Sequence, residues 1–549
     1  TLLRRFASRN PLVIVIDDLH VADRASLLLL TFLARRATDV PLLLLGTMRD
    51  AEADVATDLF EPLADVARHA TRIELKGLTA SDISSLLRAE AGSNASDELA
   101  ARIHHATAGN ALFVDEVLRA LADDRSMLHA SHATLDLRVP SGVREAVRLR
   151  LGRMSASTVR TLELDAVVGR EFDVAVVARA LEQTAAEVLA ALEHALDLGL
   201  VEERPPRPER FQFRHALIRD ALYESLPGAR RLILHQQIAE TLEALADSAP
   251  DRYVGALAHH SLIAAAQGDG RFIKYAPRAA ERALARMAFE EAVTLYERTL
   301  QVLPLVAADE RQRCELLLAL AEAKEWANDS VGSRAAFEQA AAIARNLDST
   351  ELLIRAALGV GAVAARKFTA TSRCETAPSL LREALQRIAD EDSGTKGKLL
   401  SRLALYELTT GSRGPALELS RAAVHWARAS NESDALAQAL TARHAVLLGP
   451  DHMDERLAIA QELIRIGIGQ PNREIDMRGH ALHFTVAFEL GRMLEARRAL
   501  DRHRLLAEWA RDPFDLWVNL VWRAALALHE GSFDQAERLS EAAFEFVGK

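Results

Sequence analysis

Polar residues follow two apolar runs near the start of the chain, and their types suit phosphate chemistry. Asp17 and Asp18 come directly after the first run, and Thr47 and Arg49 follow the second. Carboxylate oxygens suit a hard cation such as Mg²⁺, which often keeps waters between itself and the protein. In that role Asp17 would hold the ion directly or through water, Asp18 would polarise an attacking water, and Arg49 would neutralise a γ-phosphate.

Two strands and a helix are needed to bring these residues together. Residues 12–16 and 42–45 are short apolar runs typical of buried parallel strands, and residues 24–38 between them have helical spacing. The order predicts a βαβ unit, in which functional groups gather at the carboxyl ends of the strands. The alternative is that the two aspartates only cap the turn that follows them.

Both motifs resemble those of the STAND ATPases. DDLHVAD at 17–23 and LGTMR at 45–49 are most similar to the large ATP-binding regulators of the LuxR family and their cyclase- or kinase-fused relatives. The resemblance implies that the first motif is Walker B and that the second carries a sensor arginine. It also implies ATP or ADP with Mg²⁺ as cofactors, bound by Asp17, Thr47 and Arg49. Val21 stands where the family usually has tryptophan.

The Walker A loop G-x-x-x-x-G-K-[ST] does not occur in the 549 residues. Its backbone amides and lysine hold phosphates in this class of site, and in the family it precedes Walker B. We therefore expect the sequence to be a piece of a longer protein that contains Walker A and an output domain. We expect slow ATP hydrolysis by the intact protein and no useful hydrolysis by these residues alone.

The next stretch has helical patterns interrupted by Gly-Asn-Ala-Leu-Phe at 109–113. A short strand is predicted at 72–75, and a helix capped by Thr79 follows it. The interruption resembles the Gly-Asn-Pro-Leu-Phe element of the family's helical lid, which implies nucleotide contacts for Gly109 and Asn110. A Gly-Asn helix stop that touches no nucleotide is the alternative.

A third stretch has helices followed by a hairpin with three prolines in its loop, which favours a winged helix. The run FRHALIRDA at 213–221 resembles the family's wing-to-helix signature. By analogy, His215 would touch the β-phosphate of ADP in the resting state, although a lone histidine beside an apolar helix is often structural. The winged helix is expected to act as a switch that packs on the ATPase core. DNA binding by this domain is the alternative.

The second half of the chain repeats itself with a period of about 40 residues, as helical repeat arrays do. The recurring frame is marked by Tyr296, Phe337, Leu381, Ser420, Ala460, Leu500 and Ser540. Nine residues earlier stand Gly411, Gly491, Gly531 and Asn328, which suit left-handed turns between paired helices. The pattern resembles degenerate tetratricopeptide (TPR) repeats and predicts a superhelix with a concave surface that binds an inducer or a protein. The alternative is an α-solenoid that serves only as a spacer and binds no ligand.

Composition limits the other classes of function. The net charge is −11, which disfavours nucleic-acid binding by the bulk surface, and no run approaches the length of a membrane span. Only two cysteines occur, so reduced thiols in a cytoplasmic protein are expected. Adjacent histidines, as at His259-His260, point about 100° apart on a helix, and no shared metal ion is predicted for them.

These observations predict a mainly α chain of four parts. They are the C-terminal part of a P-loop α/β NTPase core (1–75), a helical lid (76–138), a winged-helix domain (139–248) and TPR-like repeats (249–549). The expected function is an ATP-dependent switch of a transcriptional regulator, with self-association in the ATP state. DNA would be bound only by an output domain outside these residues, such as a LuxR-type helix-turn-helix. The rival function is a non-enzymatic TPR-type scaffold with a vestigial ATPase domain.

Overall fold

The structure is a computed structural model, and its coordinates define two compact units. One unit contains residues 1–133 and 527–549, and the other contains residues 134–526. The residues that the structure describes are 6–7, 10–17, 19, 22–36, 41–48, 65–91, 97–107, 109–111, 114–115, 118, 151, 154–204, 207–214, 216–246, 252–306, 309–366, 376–388, 392–468, 470, 473–510 and 513–547.

The first unit begins with a strand, a helix and a second strand. Strands β1 (Leu12–Ile16) and β2 (Leu42–Gly46) pair in parallel, and helix α1 (Arg24–Arg36) connects them. A small apolar core of Leu19, Leu27, Leu30 and Val66 lies beside them. The predicted strand–helix–strand order is therefore confirmed in this part of the chain.

Two helices follow, α2 (Ala80–Ala91) and α3 (Asp97–Thr107). Thr79 caps the first of them reciprocally with Asp82: the Thr79 amide donates to the Asp82 carboxylate, and the Asp82 amide donates to the Thr79 hydroxyl. The strand predicted at 72–75 is wrong, because the described residues 71–79 have no regular secondary structure. The apolar side chains of that run are exposed to solvent, so no core stabilises a strand there.

The second unit begins with helices that pack on an antiparallel sheet. The elements are α4 (Ala156–Val168), β3 (Glu171–Asp173), α5 (Val174–Ala180), α6 (Ala185–Asp197), β4 (Val201–Arg204) and β5 (Arg207–Phe213). The sheet has the order β3-β5-β4, with both neighbours antiparallel to β5. The hairpin was predicted, whereas the three-residue β3 was missed because it is too short to show alternation.

Helices α7 (Ala216–Ser225) and α8 (Gly228–Ala246) follow. Together with the sheet and helices α4–α6 they form the sheet module, residues 156–246. Its core contains side chains from the helices and the sheet, among them Leu162, Val177, Leu192, Phe211, Phe213 and Ile238. The same core continues into the next part of the chain through Leu257 and Tyr275. The module and the start of the helical array therefore share one apolar core.

The remaining described elements are α-helices and three short 3-10 helices, the latter at Ala265–Gln267, Leu303–Leu305 and Pro450–His452. In chain order, the α-helices are α9 (Val254–Ala264), α10 (Phe272–Ala285), α11 (Phe289–Val302), α12 (Glu310–Trp326), α13 (Ser330–Asn346), α14 (Thr350–Arg366), α15 (Thr376–Arg387), α16 (Ser393–Thr409), α17 (Arg413–Ala429), α18 (Ser433–Val446), α19 (Met453–Ile468), α20 (Glu474–Glu489), α21 (Met493–Ala510), α22 (Pro513–His529) and α23 (Phe533–Val547). From α9 to α21 each helix packs on its neighbours in sequence, which is the architecture of an α-solenoid. The predicted mainly α fold class is confirmed.

The predicted repeat frame agrees with the burial of its positions. Every marker residue is buried except Ser540, which is half-buried. The residues three positions after the markers are all buried: Thr299, Ala340, Ala384, Ala423, Leu463, His503 and Ala543. Small side chains at most of these positions allow the paired helices to pack closely.

The turns within the repeats have the predicted left-handed backbone. Gly411, Gly491 and Gly531 have φ values of 86°, 72° and 74°, and Asn328 has a φ of 62°. Met287 occupies the equivalent turn of an earlier repeat, also with a φ of 62°. The frame therefore locates these turns even where the residue type gives no signal. None of the described helices is both long and apolar enough to cross a membrane.

Candidate functional site

The residues after the two parallel strands are joined by hydrogen bonds. The Thr47 hydroxyl donates to Oδ1 of Asp17 in a short contact. The Thr47 amide donates to the carbonyl of Ile16 at 3.0 Å, and the Leu19 amide donates to the carbonyl of Thr47 at 2.8 Å. The two strand ends are thus fixed to each other on both sides of Asp17.

Leu19 and Gly46 hold the segment that carries the carboxylate. Leu19 is buried in the small core, and its side chain lies directly against Gly46. A Cβ atom at Gly46 would lie 2.3 Å from Cδ1 of Leu19, so a larger residue would displace the leucine. Glycine at the end of β2 therefore allows Leu19, two residues after Asp17, to pack directly against β2.

The site combines an exposed carboxylate with a hydroxyl group at the carboxyl edge of a parallel sheet. Asp17 and Thr47 are both exposed, so their oxygens are accessible from solvent. Carboxylate and hydroxyl oxygens are suitable ligands for a hard divalent cation, bound directly or through water. The donor set therefore fits Mg²⁺. Asp18 and Arg49 lie outside the described residues.

One face of this sheet is apolar and exposed. Val13 and Val15 on β1, and Leu43 and Leu45 on β2, have exposed fractions between 47% and 64%. The opposite face packs on the small core through Ile16 and Leu44. Successive side chains on a strand point to opposite faces of the sheet. The exposed apolar face is therefore also suited to burial, as are both faces of the central strands in α/β proteins.

Gly109 and Asn110 have a local structural explanation. Gly109 has a φ of 72°, and a Cβ atom there would lie 2.2 Å from the carbonyl oxygen of Leu78. Its own carbonyl accepts a hydrogen bond of 2.7 Å from the Leu78 amide. The Asn110 carbonyl accepts a hydrogen bond from Val114, which begins the next helical turn. The left-handed backbone and the close approach of Leu78 require glycine at position 109. Nucleotide contacts by Gly109 and Asn110 stay a prediction.

His215 also lies outside the described residues, so its predicted ligand role stays a prediction. Arg219, one turn further along the same motif, donates from Nε to the carbonyl of Ala166 at 2.8 Å. Its Cζ atom lies 4.8 Å from the centre of the Tyr223 ring. This part of the motif therefore ties α7 to α4 and to an aromatic side chain.

Sequence reasoning missed two polar features of the second unit. Asp165 is completely buried, and neither carboxylate oxygen has a hydrogen-bond partner among the described residues. Burial raises the pKa of Asp165 well above its ordinary value. The second feature is a cluster of His235, His259 and His260 on two helices. Neither shows in the sequence, since both depend on which helices pack together.

Comparisons with known proteins give limited matches. No protein-family model matches the chain. A curated protein, the peroxide stress-activated histidine kinase mak3 of Schizosaccharomyces pombe, is 27% identical over 362 residues. The matched region is 60% of this chain and 15% of that kinase, so the chain spans a small part of the length of the curated relative.

Three solved structures are loosely similar. A STAND protein with a tetratricopeptide repeat sensor from Pyrococcus horikoshii has 14% identity and a TM-score of 0.39, over 99% of this chain and 82% of that one. A Rap protein complexed with competence and sporulation factor has 14% identity and a TM-score of 0.38, over 74% and 98%. The apo form of RapI has 13% identity and a TM-score of 0.41, over 73% and 98%. TM-scores at this level do not establish a shared fold, and the helical-repeat class rests on the helices themselves.

Proposed function

We propose that the chain is the switch and sensor portion of an ATP-dependent signal-transduction regulator that acts in the cytoplasm. The observation that carries this proposal is the joining of Asp17 and Thr47 at the carboxyl ends of two parallel strands. Groups at this edge of a parallel sheet are the usual ligands of a bound nucleotide in α/β folds. The STAND resemblance of the same residues supports the assignment.

Each residue of the nucleotide site has a distinct proposed role. Asp17 would orient the ion that neutralises phosphate charge, and Thr47 would hold the Asp17 carboxylate in place. Asp18 would polarise the attacking water, and Arg49 would contact the γ-phosphate. Mg²⁺, when bound, supplies charge neutralisation between neighbouring phosphate oxygens.

Further contacts would come from the lid and the winged-helix module. Gly109 and Asn110 would approach the nucleotide, and His215 would contact the β-phosphate of ADP. The element order helix, strand, helix, helix, strand, strand in 156–213 supports the assignment of a winged helix. In this proposal the module keeps an ADP state closed, and exchange to ATP allows self-association.

The repeat array would sense an inducer or a partner protein. Stacked helix pairs present an extended surface suited to this role. A ligand that shifts the molecule from 1% to 99% open must bind the open state more tightly by about 5.5 kcal/mol. The curated relative is named as a stress-activated histidine kinase, which is compatible with a signalling setting. An output domain outside these residues would bind DNA or carry another activity.

Nucleotide binding by the full-length protein tests the proposal. A fluorescent ATP analogue is titrated in the presence and absence of Mg²⁺ into wild-type protein, Asp17→Asn and Glu98→Gln. Glu98 is an exposed carboxylate of the same unit, in the first turn of α3, and serves as the matched control. We expect Asp17→Asn alone to weaken Mg²⁺-dependent binding by at least about 10-fold.

A full-length protein that binds no nucleotide would overturn the proposal. Equal Mg²⁺-dependent affinities for wild type and Asp17→Asn would remove Asp17 from the site. In the first case the repeat scaffold with a vestigial ATPase domain becomes the leading function.

A further inference from the structure

Three histidines meet where the sheet module joins the helical array. His235 lies on α8, and His259 and His260 lie on α9. One ligand nitrogen from each lies within 4.8 Å of those of the other two. A 2.8 Å hydrogen bond joins Nδ1 of His235 to Nδ1 of His260, although the two residues are 25 positions apart. The sequence places His259 and His260 on different sides of α9. The ring centre of His235 lies 5.9 Å from that of His259 and 5.0 Å from that of His260.

The distances are close to those of a metal centre. Zinc–nitrogen bonds of about 2.0–2.1 Å place two nitrogen ligands of a tetrahedral ion roughly 3.3 Å apart. This spacing lies between the 2.8 Å observed for the His235–His260 nitrogens and the 4.8 Å within which all three ligand nitrogens lie. His235 and His260 are buried, with exposed fractions of 1% and 2%, while His259 is exposed. Two ligands are therefore fixed by packing, and the third can adjust its rotamer and offers an entry path.

A neighbouring tyrosine can orient the central imidazole. The Tyr223 hydroxyl lies 3.1 Å from Nε2 of His235. With the proton on Nε2, His235 donates to the Tyr223 oxygen and leaves the Nδ1 lone pair directed toward His260. A hydrogen bond from the outer nitrogen of a metal-binding histidine fixes its tautomer in this way. The hydroxyl therefore supplies the supporting contact that histidine metal sites usually have.

We infer that His235, His259 and His260 form a binding site for a divalent transition-metal ion of the imidazole-preferring class, with Zn²⁺ the best fit. Three histidines and one open position are a known zinc ligand set, and imidazole also suits Ni²⁺ and Cu²⁺. The ion would connect α8 to α9. It would therefore stiffen the joint between the sheet module and the repeats, which already share the apolar core around Leu257.

The positive charges around the cluster have two opposite effects on metal binding: they keep the imidazoles neutral, and they repel a cation. Burial is the main cause of the lowered pKa values of these histidines. For His235 and His260 the neighbouring histidines come next, and Arg219, Arg231 and Arg298 add to the effect. Together these causes lower the pKa of His235 to about 4. Neutral imidazole is the form that binds metal. With His235 protonated on Nε2, the proton of the His235–His260 hydrogen bond is on Nδ1 of His260, and it would move to Nε2 of that ring when an ion takes its place. The same guanidinium groups repel a cation, so an anionic fourth ligand such as hydroxide would offset part of that repulsion.

The test uses the untagged chain, freed of metal by a chelator. Zn²⁺ is titrated in competition with a chromophoric chelator into wild type, His259→Ala and His194→Ala. His259 is exposed, so its removal leaves no cavity, and circular dichroism checks the fold. His194 is an exposed histidine in the last turn of α6 and is the matched control. We expect one Zn²⁺ site in wild type and in His194→Ala, weakened at least about 10-fold in His259→Ala.

A second variant separates this site from weak surface binding. Tyr223→Phe keeps the ring and removes the hydroxyl beside His235, and we expect it to lower Zn²⁺ affinity by roughly 10-fold. Co²⁺ bound to the wild type should give the visible spectrum of a four-coordinate nitrogen site. The inference is overturned if wild type binds no Zn²⁺ beyond weak sites, or if His259→Ala binds it as tightly as His194→Ala.

Discussion

The hydroxyl of Thr47 donates to the carboxylate of Asp17 across two parallel strands, although the residues are 30 positions apart. The contact lies at the carboxyl edge of the sheet, one residue beyond the Ile16–Gly46 pair of the register. It restricts the Asp17 side chain to one direction at that edge. An oriented carboxylate is the requirement that a nucleotide-bound metal ion places on this position.

The first prediction concerns this hydroxyl. In the full-length protein, Thr47→Val removes the donor while it keeps the size of the side chain, and Thr47→Ser keeps the donor. We expect Thr47→Val to weaken Mg²⁺-dependent nucleotide binding by about 10-fold and Thr47→Ser by much less. The measurement is the fluorescent-nucleotide titration. Equal affinities for the two variants would show that the hydrogen bond does not position Asp17.

An ion pair between a buried arginine and an exposed glutamate of the repeats gives the second prediction. The Arg456 side chain is completely buried, and its guanidinium donates to both carboxylate oxygens of Glu489 at 2.5 and 3.1 Å. Glu489→Gln leaves a buried cation without its counter-charge. Because solvent reaches the carboxylate, which is 41% exposed, we expect a loss of about 2 kcal/mol in the free energy of unfolding, less than for a fully buried pair. Arg456→Met removes the charge and should cost much less. Denaturant unfolding followed by circular dichroism measures both.

A surface pair is the control for that measurement. Arg428 donates to Glu462 at 2.8 Å, but the arginine side chain is 57% exposed. Solvent screens this pair, so Glu462→Gln should cost less than about 1 kcal/mol. If Glu489→Gln and Glu462→Gln have equal effects, burial does not set the strength of the Arg456 pair.

The third prediction follows from Asp165. Its pKa is raised well above the ordinary value by burial, so the folded protein keeps the carboxyl protonated while the unfolded chain ionises it. Its contribution to stability is therefore present below the unfolded pKa and is lost as pH rises, by about 1.4 kcal/mol per pH unit until the folded pKa is reached. Asp165→Asn cannot ionise, so the thermal midpoint of the variant relative to wild type should rise as pH increases above about 4.

An exposed aspartate in the same module controls for the change of charge. Asp197 is the last residue of α6 and is exposed. Asp197→Asn should follow the wild-type pH profile of thermal unfolding. A constant difference between Asp165→Asn and wild type at every pH would contradict the raised pKa.

The left-handed turns give a fourth prediction, in which substitutions at two turns change the free energy of unfolding in opposite directions. Gly491→Ala places a Cβ at a φ of 72°, where nothing lies within 4 Å but the backbone is strained, and should cost about 1 kcal/mol. Met287 is exposed at a φ of 62°, and Met287→Gly should relieve similar strain. Greater freedom of the unfolded glycine offsets part of that gain, which leaves about 0.5 kcal/mol. Denaturant unfolding midpoints that move in the same direction for both variants would contradict this account.

Features set by local sequence were predictable. The strands β1 and β2 follow from uninterrupted apolar runs, and the capping of α2 follows from Thr79 and Asp82. The repeat frame emerged because small residues recur where helices pack closely, and Gly491 indicates a left-handed turn. Residues 72–75 alternate like a strand, but a strand also needs a partner and a core to cover its apolar side chains.

Features set by packing between distant segments were not predictable. His235 and His260 belong to different helices, and only the packing of α8 on α9 brings their rings together. The burial of Asp165 depends likewise on the helices and strands that surround α4. The Asp17–Thr47 contact was only partly predictable. The βαβ pattern predicts that the two strand ends are adjacent, whereas the hydrogen bond itself depends on the register of the strands.

The Mg²⁺-dependent rate of ATP hydrolysis by full-length Asp17→Ala protein tests the central claim most directly. Asp17 is exposed, so the substitution should leave the fold intact, which circular dichroism verifies. The account predicts slow hydrolysis by wild type and loss of the Mg²⁺-dependent rate in the variant. An unchanged rate in Asp17→Ala would contradict the assignment of Asp17 as the residue that positions the metal ion.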